Sequence, residues 1–555
     1  MKKLIGILLF IVVVLAAAVL YVFTRSPKPL DRPHIIIALI DTMRADHVGC
    51  YGYPRPTTPF IDSLAAKGTI YENVYSPTSW TLPALATIFL GLNPQQHGVT
   101  EGLQTLGVLA YQHQLSSKYR TVTERLASED YLTIGFSTNI HIAASTGFGQ
   151  GFSTFREAIS SNAEMVEQMV TDNLGRFREA NYHGKPYFLF MHFFDPHTPY
   201  LVREPYIKEV APNLDTDAFL AASPMNGDLM YGFKAGHFRD HPEQIQALKD
   251  VYDSEIAATD AALGRIIASL PGSDRAVIIV LSDHGEAFYE HETMLHGYDL
   301  NEETVRVPLI IREPMRPKPS PGGRRVKDFV GLIDVAPTVL GYAGAMHDDL
   351  PGVDISKAIP ERRTFPFHLH RGLVQMHGAM IWPKKLIVDT KSKTNELYDL
   401  NVDPLEKNPI DIGTNEQELR KAAEQAARIE PEVKAVLVRN EFVINKEQLQ
   451  ALGYLTKGRQ AQKGGKNGPT ISATPLPTPW VVELNVCQTL RAIKKKCAML
   501  DPTEQKACVK EHLADLVEKT CHKASSYNYR KKCEFMRLDS ALRICERSQA
   551  GNLNP

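Results

Sequence analysis

Two unbroken apolar runs, each ending on an acid, set the limits on what this chain can fold into. Residues 35–40 read IIIALI and are followed by Asp41. Residues 276–281 read AVIIVL and are followed by Ser282, Asp283, His284 and Gly285. A β-branched run without polar alternation is a strand covered on both faces, as in a parallel sheet. Further strand-like runs fall at 69–74, 132–136, 187–194, 308–311 and 385–388. Helical signals cover 59–67, 414–439 and 244–270, the last with Ile245, Leu248, Tyr252, Ile256, Leu263 and Ile266 on one face. Strands alternating with helices predict an α/β fold built on a doubly wound, mostly parallel sheet, here with a small C-terminal subdomain. Ligands of such sheets gather at the carboxyl ends of the strands. Two carboxylates and an imidazole delivered there form a candidate divalent-metal site.

With 555 residues the chain exceeds one ordinary core, so several domains are expected. A net charge of -1 argues against a general polyanion binder, and no nucleic-acid partner is expected. Behind Lys2 and Lys3 an apolar run fills residues 4–23. At ~1.5 Å per residue it spans about 30 Å, a bilayer's hydrocarbon core. It outlasts the roughly 7–15 apolar residues of a cleaved signal peptide. Residues 1–25 are therefore read as an uncleaved transmembrane anchor and 26–32 as a tether. The enzyme-sized region, 33–455, is then expected on the periplasmic or extracellular side of the membrane.

Residues 456–480 are rich in Gly, Lys, Ser, Thr and Pro and read as a flexible linker. Six of the seven cysteines fall in the last 69 residues (Cys487, Cys497, Cys508, Cys521, Cys533, Cys545). An even number in a small exported segment predicts a disulfide-rich, all-α module over 481–555. No close Cys-x-x-Cys pair is present, which disfavours zinc. The module carries 14 Lys and Arg against 9 Asp and Glu and is a candidate for holding an envelope partner. Cys50 is expected to be buried and inert.

Three segments in order resemble the sulfatase branch of the alkaline phosphatase superfamily: DTMRADHVGCYG at 41–52, SWTLPALATIFLG at 79–91 and DHGE at 283–286. FDPHTPY at 194–200, RVPLI at 306–310, DVAPT at 334–338, LYDL at 397–400 with DP at 403–404, and LGYL at 452–455 extend it. The resemblance covers residues 33–455, about three quarters of the chain. It implies that Asp41, Asp283 and His284 bind a divalent cation (Mn, Mg, Ca or Zn). It also implies that Thr81 is both nucleophile and metal ligand. Coordination would lower the hydroxyl's pKa and fix its line of attack. His197 matches a family active-site histidine that protonates the leaving group or binds a substrate oxygen. His296 matches the place where relatives carry a Lys or His facing the substrate. Asn139 falls near the family's second substrate-binding segment. Asp195, His197 and His296 are the alternative ligands of a second metal. His368, His370 and Arg371 are candidates for closing the site from the C-terminal subdomain, and 201–243 reads as a substrate-selecting insertion. Arg44, Asp46, His47, Glu286 and His291 are read as outer-shell or surface residues.

The departures bear on chemistry. Sulfatases resemble a Cys-or-Ser, x, Pro, x, Arg pattern whose first residue becomes formylglycine; here the two ends are Thr81 and Leu85. Thr42 replaces the second acid of the family's Asp-Asp pair, and His284 stands where Asn is common. A threonine with Asp-His is similar to the phosphoethanolamine transferases and lipoteichoic-acid synthases, which form a phospho-threonine intermediate. The expectation is a metal-dependent hydrolase acting on a small-molecule, lipid or glycan ester in the cell envelope. Phosphoester cleavage or transfer through Thr81 and a covalent intermediate is favoured. One alternative is a true sulfuric ester hydrolase without formylglycine. Another is a non-catalytic envelope binding protein with a vestigial fold.

Overall fold

The computed structural model describes residues 30–440, apart from 220–236, 315–322, 412–416 and scattered single or paired positions. The expected anchor, linker and six-cysteine module lie outside the described residues. Among those described, no helix is long and apolar enough to cross a membrane.

Eight strands form the central sheet: β1 (His34–Ile40), β2 (Thr69–Tyr75), β3 (Leu132–Ser137), β4 (Thr154–Glu157), β5 (Tyr187–Phe193), β6 (Ala276–Leu281), β7 (Leu309–Arg312) and β8 (Arg324–Gly331). Their spatial order is β8-β2-β7-β6-β1-β5-β3-β4. Strand β1 pairs in parallel with β5 and β6. Only β7 opposes its neighbours, β6 and β2. No crossover helix separates β6 from β7. The chain loops through 282–308 at the carboxyl end of β6 and then runs back down, which makes β7 antiparallel.

The absence of alternation in β1 has a direct cause. Ile35, Ile37 and Leu39 enter one core with Val277, Ile279 and Leu281. Ile36, Ala38 and Ile40 enter another with Ile278 and Val280. Helices α1 (Pro59–Ala65), α3 (Ala163–Asp172) and α4 (Pro242–Ser269) supply residues to the second core. Helices α2 (Thr81–Leu90) and α5 (Val335–Ala343) supply the first. Both faces are dry, so every position selects an apolar side chain.

A second sheet is an antiparallel meander of β9 (Thr364–Arg371), β10 (Val374–Ile381), β11 (Lys384–Asp389) and β12 (Thr394–Asp399). Helix α6 (Gln417–Arg428) covers it through Leu419 and Ala423. The helix expected over 414–439 is thus shorter. It ends at Arg428, and Val436–Asn440 is a strand paired antiparallel with residues 110–114. Pro431 lacks an amide hydrogen and disfavours helix in the residue before it, and a β-branched stretch follows. The expected insertion at 201–243 begins as a docked segment. Its helix Tyr206–Val210 buries Ile207 and Val210 in the second core. Residues 220–236 are outside the described part.

One buried ion cluster ties the meander to the 282–308 loop. Lys385, on β11, is fully buried, with Nζ 3.1 Å from Glu302 and 2.8 Å from Glu406. Glu406 also accepts from the Glu302 amide at 2.9 Å and from Asn301 Nδ2 at 3.1 Å. Removing the lysine leaves a buried carboxylate without its counter-charge. Lys385→Ala is expected to cost about 3–5 kcal/mol in urea unfolding. A loss below about 1 kcal/mol, the scale of an exposed pair, would show that the cluster is wet instead.

Candidate active site

Strands β1 and β6 lie side by side with Leu39 opposite Leu281. Carried two residues further, the same alternation brings Asp41 and Asp283 together beyond the strand ends, on the α2 side of the sheet. The Asp41 amide continues the ladder by donating to the Phe193 carbonyl at 3.0 Å. The chain then turns at Thr42, held in the left-handed region at φ 57°. Tyr252 of α4 pins that turn: its hydroxyl donates to the Thr42 carbonyl at 2.7 Å and accepts from the Arg44 amide at 2.9 Å. Thr81 is the first residue of α2, whose ten residues are all buried. Its amide sits among those that no turn of helix can satisfy, an end suited to anions. Thr81 Oγ lies 3.1 Å from His284 Nε2.

Asp41, Asp283 and His284 are all fully buried. His284 Nδ1 lies 2.9 Å from the Gly285 carbonyl, so that nitrogen carries the hydrogen and donates. Nε2 then turns a lone pair toward Asp41 Oδ1 at 3.5 Å and Asp283 Oδ2 at 3.4 Å. Those two oxygens have no hydrogen-bond partner. The other oxygen of each carboxylate is engaged. Asp41 Oδ2 accepts from Asn139 Nδ2 at 2.8 Å and lies 3.4 Å from His192 Nε2. Asp283 Oδ1 accepts from the His284 amide at 3.1 Å. Three electron-pair donors thus face a common point, each steadied from behind, and they fit a divalent cation. The electrostatics agree. Burial and the charge of Asp41 push the Asp283 carboxyl well up. Burial would raise Asp41 too, but His192, His197 and His284 overcome it and hold it ionised. Burial keeps His284 below its ordinary value, in the neutral form that ligates.

Beside this cluster three imidazoles lie in contact, tilted or edge-on to one another. The His284 and His296 ring centroids are 4.5 Å apart, and those of His296 and His197 4.8 Å. His296 Nδ1 meets Glu286 at 2.9 Å, and the Tyr200 hydroxyl donates to the other Glu286 oxygen at 2.9 Å. His197 Nδ1 donates to the Thr198 carbonyl at 2.6 Å. In both rings Nε2 is the atom left for a ligand. Burial lowers both, His197 to about 4. A bound anion would raise them again and let Nε2 deliver a proton. Asp195 does not join them. It faces Arg203 at 2.6 Å and the Ala163 amide at 3.0 Å. The second metal site expected from Asp195, His197 and His296 is therefore not assembled. Among the described residues, Asp41, Asp283 and His284 are the one such group of ligands. Asn139 also departs from expectation. Its amide nitrogen orients Asp41 and its oxygen accepts from the His141 amide at 2.8 Å, so it serves the metal cluster in place of the substrate.

The family model described as Sulfatase matches residues 33–345. The chain belongs to the sulfatase family. The arylsulfatase of Clostridium perfringens is 22% identical over 433 residues, spanning 68% of this chain and 89% of that protein. Arylsulfatase K of Mus musculus is 24% identical, spanning 76% and 84%. The phosphonate monoester hydrolase of Agrobacterium radiobacter superposes with a TM-score of 0.54 at 19% identity, covering 71% of this chain and 95% of that one. An enzyme solved with its substrate D-glucosamine-2-N,6-O-disulfate gives a TM-score of 0.54 at 20% identity, covering 72% and 98%. The chain is thus a sulfatase-family enzyme, and these relatives hydrolyse sulfate or phosphonate esters.

Within the family frame, the structure brings Asp41, Thr81, Asp283 and His284 together and sets His197 and His296 beside them. Leu85 is fully buried in the first core and offers the site no charge. His192 was not anticipated, although a lone imidazole in an otherwise apolar strand was a signal: it pairs with Leu39, two residues before Asp41. Glu286 and Tyr200 gained their roles only through contacts distant in sequence. Arg44 supports them, donating to the Glu286 carbonyl at 3.0 Å and to Glu290 at 2.8 Å. His370 pairs with Glu101 at 3.6 Å, whereas Arg371 reaches the His296 carbonyl at 2.7 Å. Cys50 is partly buried and has no disulfide partner among the described residues, and burial beside Asp62 pushes its thiol up to about 12, an unreactive state.

A cation held by the native cluster stabilises the fold by mass action. Mn, Mg, Ca or Zn added to chelator-treated protein should raise its melting temperature, and Asp283→Asn should abolish that rise. A wild type unmoved by all four metals would remove the assignment. A pH effect follows from the loop. His291 bonds Glu303 at 2.7 Å and the Glu406 carbonyl at 3.0 Å. Burial opposes its charge, but Glu303 outweighs this and raises it from 6.5 to about 9. Its stabilisation is complete below pH 6.5 and is lost as pH rises through 9. Melting temperature should fall over that window more steeply in the wild type than in His291→Gln. Parallel curves would refute it.

Proposed function

We propose that this enzyme cleaves anionic esters in the cell envelope through Thr81 as nucleophile, with phosphate or phosphonate esters favoured. The carrying observation is Thr81 Oγ at the start of a buried helix, 3.1 Å from His284 Nε2 and beside two carboxylates with unpartnered oxygens. A divalent cation held by Asp41, Asp283 and His284 would lower the hydroxyl's pKa and draw in the anionic group. Thr81 gives up its proton to solvent, and its oxygen bonds to phosphorus as the bond to the alcohol oxygen breaks. His197 or His296, charged by the substrate's approach, supplies a proton through Nε2 to that alcohol. Water then adds to phosphorus, the bond to Thr81 Oγ breaks, and the threonine regains a proton. An acceptor alcohol in place of water would make the same site a transferase.

Threonine at 81 and leucine at 85 support phosphorus over sulfur, as does a phosphonate monoester hydrolase among the structural neighbours. Sulfate ester hydrolysis is the second reading, favoured by the arylsulfatases among the relatives, with a sulfated glycan as the substrate class. The run at 4–23 supports a membrane-anchored enzyme whose catalytic domain lies on the periplasmic or extracellular side.

The test compares aryl phosphate, bis-aryl phosphate and aryl sulfate as substrates. Thr81→Ala should lose on the order of 10³-fold or more in kcat. Quenched wild type should carry a phosphoryl group on the Thr81 peptide by mass spectrometry. Sulfate turnover well above phosphate turnover selects the second reading. Activity unchanged in Thr81→Ala would remove the nucleophile.

A further inference from the structure

Arg371 ends β9 and reaches over to the loop bearing His296. Its Nη1 donates to the His296 carbonyl at 2.7 Å. Its guanidinium carbon lies 5.7 Å from the Trp80 ring centroid and 5.3 Å from that of Tyr298. Trp80 immediately precedes Thr81, and the His296 ring lies against His284. The guanidinium is therefore beside the active site, bonded to the backbone of the residue whose ring lies against His284.

The surroundings are built to hold this group. Gly297 sits at φ 77°, and a side chain there would collide with the Arg371 guanidinium. Gly102 performs the same service for Trp80, since a Cβ would stand 2.8 Å from the indole ring. Yet the charge is left unanswered. Several inward-facing arginines meet carboxylates, among them Arg44 with Asp46 and Glu290, Arg203 with Asp195 and Arg363 with Asp334. Among the described residues Arg371 has no carboxylate partner, and its Nε and Nη2 have no acceptor. A half-buried cation within cation–π reach of two rings, one edge of its donor fork free, matches an anion with paired oxygens.

We propose that Arg371 binds a second anionic group, carried on the alcohol portion of the substrate. The enzyme then selects esters of anionic alcohols over neutral ones. The position argues for the alcohol: Asp41, Asp283 and His284 gather where the group transferred to Thr81 would sit, and Arg371 bonds none of them, meeting only the His296 carbonyl. Sulfate, phosphate and carboxylate share the required oxygens. The proposal rests on the ester-cleaving reading above.

The experiment measures kcat/KM on pairs of aryl esters of matched leaving-group pKa. One member of each pair bears an extra ring carboxylate or sulfonate. The wild type should prefer the charged member by about ten-fold or more, the scale of a charge-assisted hydrogen bond. Arg371→Gln should erase that preference through KM of the charged ester, and Arg371→Lys should keep part of it. If Arg371→Gln melts early, the Arg371→Lys ratio carries the comparison. No wild-type preference, or equal losses on both members, overturns the proposal. Turnover of neither member overturns the ester-cleaving reading instead. Arg371 is then judged by calorimetric titration with 5-sulfosalicylate against benzenesulfonate. Tighter binding of the dianion that Arg371→Gln loses upholds the proposal, and equal binding overturns it.

Discussion

Two buried carboxylates held against each other are the constraint around which this enzyme is arranged. Parallel pairing of β1 with β6 delivers Asp41 and Asp283 to the same place, and their unpartnered oxygens face the lone pair of His284. Without positive charge such an arrangement is unfavourable, because burial and mutual repulsion both resist ionisation. The surrounding groups respond to that. Asn139 and His192 occupy one side of Asp41, the His284 amide occupies one side of Asp283, and Thr81 Oγ meets His284 Nε2.

The same constraint explains the loop at 282–308. Once β6 has delivered Asp283, the chain stays at that end of the sheet and places His296 against His284, with Glu286 and Tyr200 fixing the ring. Such a loop needs anchors, because only the short pairing of Ala287–Phe288 with Met294–Leu295 holds its backbone in a ladder. Lys385 and Glu406 from the C-terminal subdomain supply one, and Arg371 on the His296 carbonyl supplies another. The meander is thus part of the active site's support, and it brings a cation to the mouth that the catalytic sheet does not provide.

Much of this was legible in the chain. Runs without alternation identified β1 and β6, since only strands dry on both faces lack polar positions. The acids that end them marked the site, and family resemblance attached Thr81, His197 and His296. Strands β8, β9 and β10 were not read, because exposed and apolar residues are mixed in them and no long apolar run marks them. The helix expected over 414–439 was overextended past Pro431. Asp195 was grouped with His197 and His296 as an alternative second metal site by analogy with two-metal relatives, although its carboxylate turns to Arg203.

The sequence by itself determined the sheet, the acids at its carboxyl edge and the threonine that meets them there, because these follow from local pattern and from motifs in order. Tertiary structure alone decided which side chain serves which. Asn139 was turned onto Asp41, Glu286 was joined to His296, and Arg371 was left with a free edge beside Trp80. The physical reason is that a polar group's role depends on which partner satisfies it, and those partners lie across elements far apart along the chain.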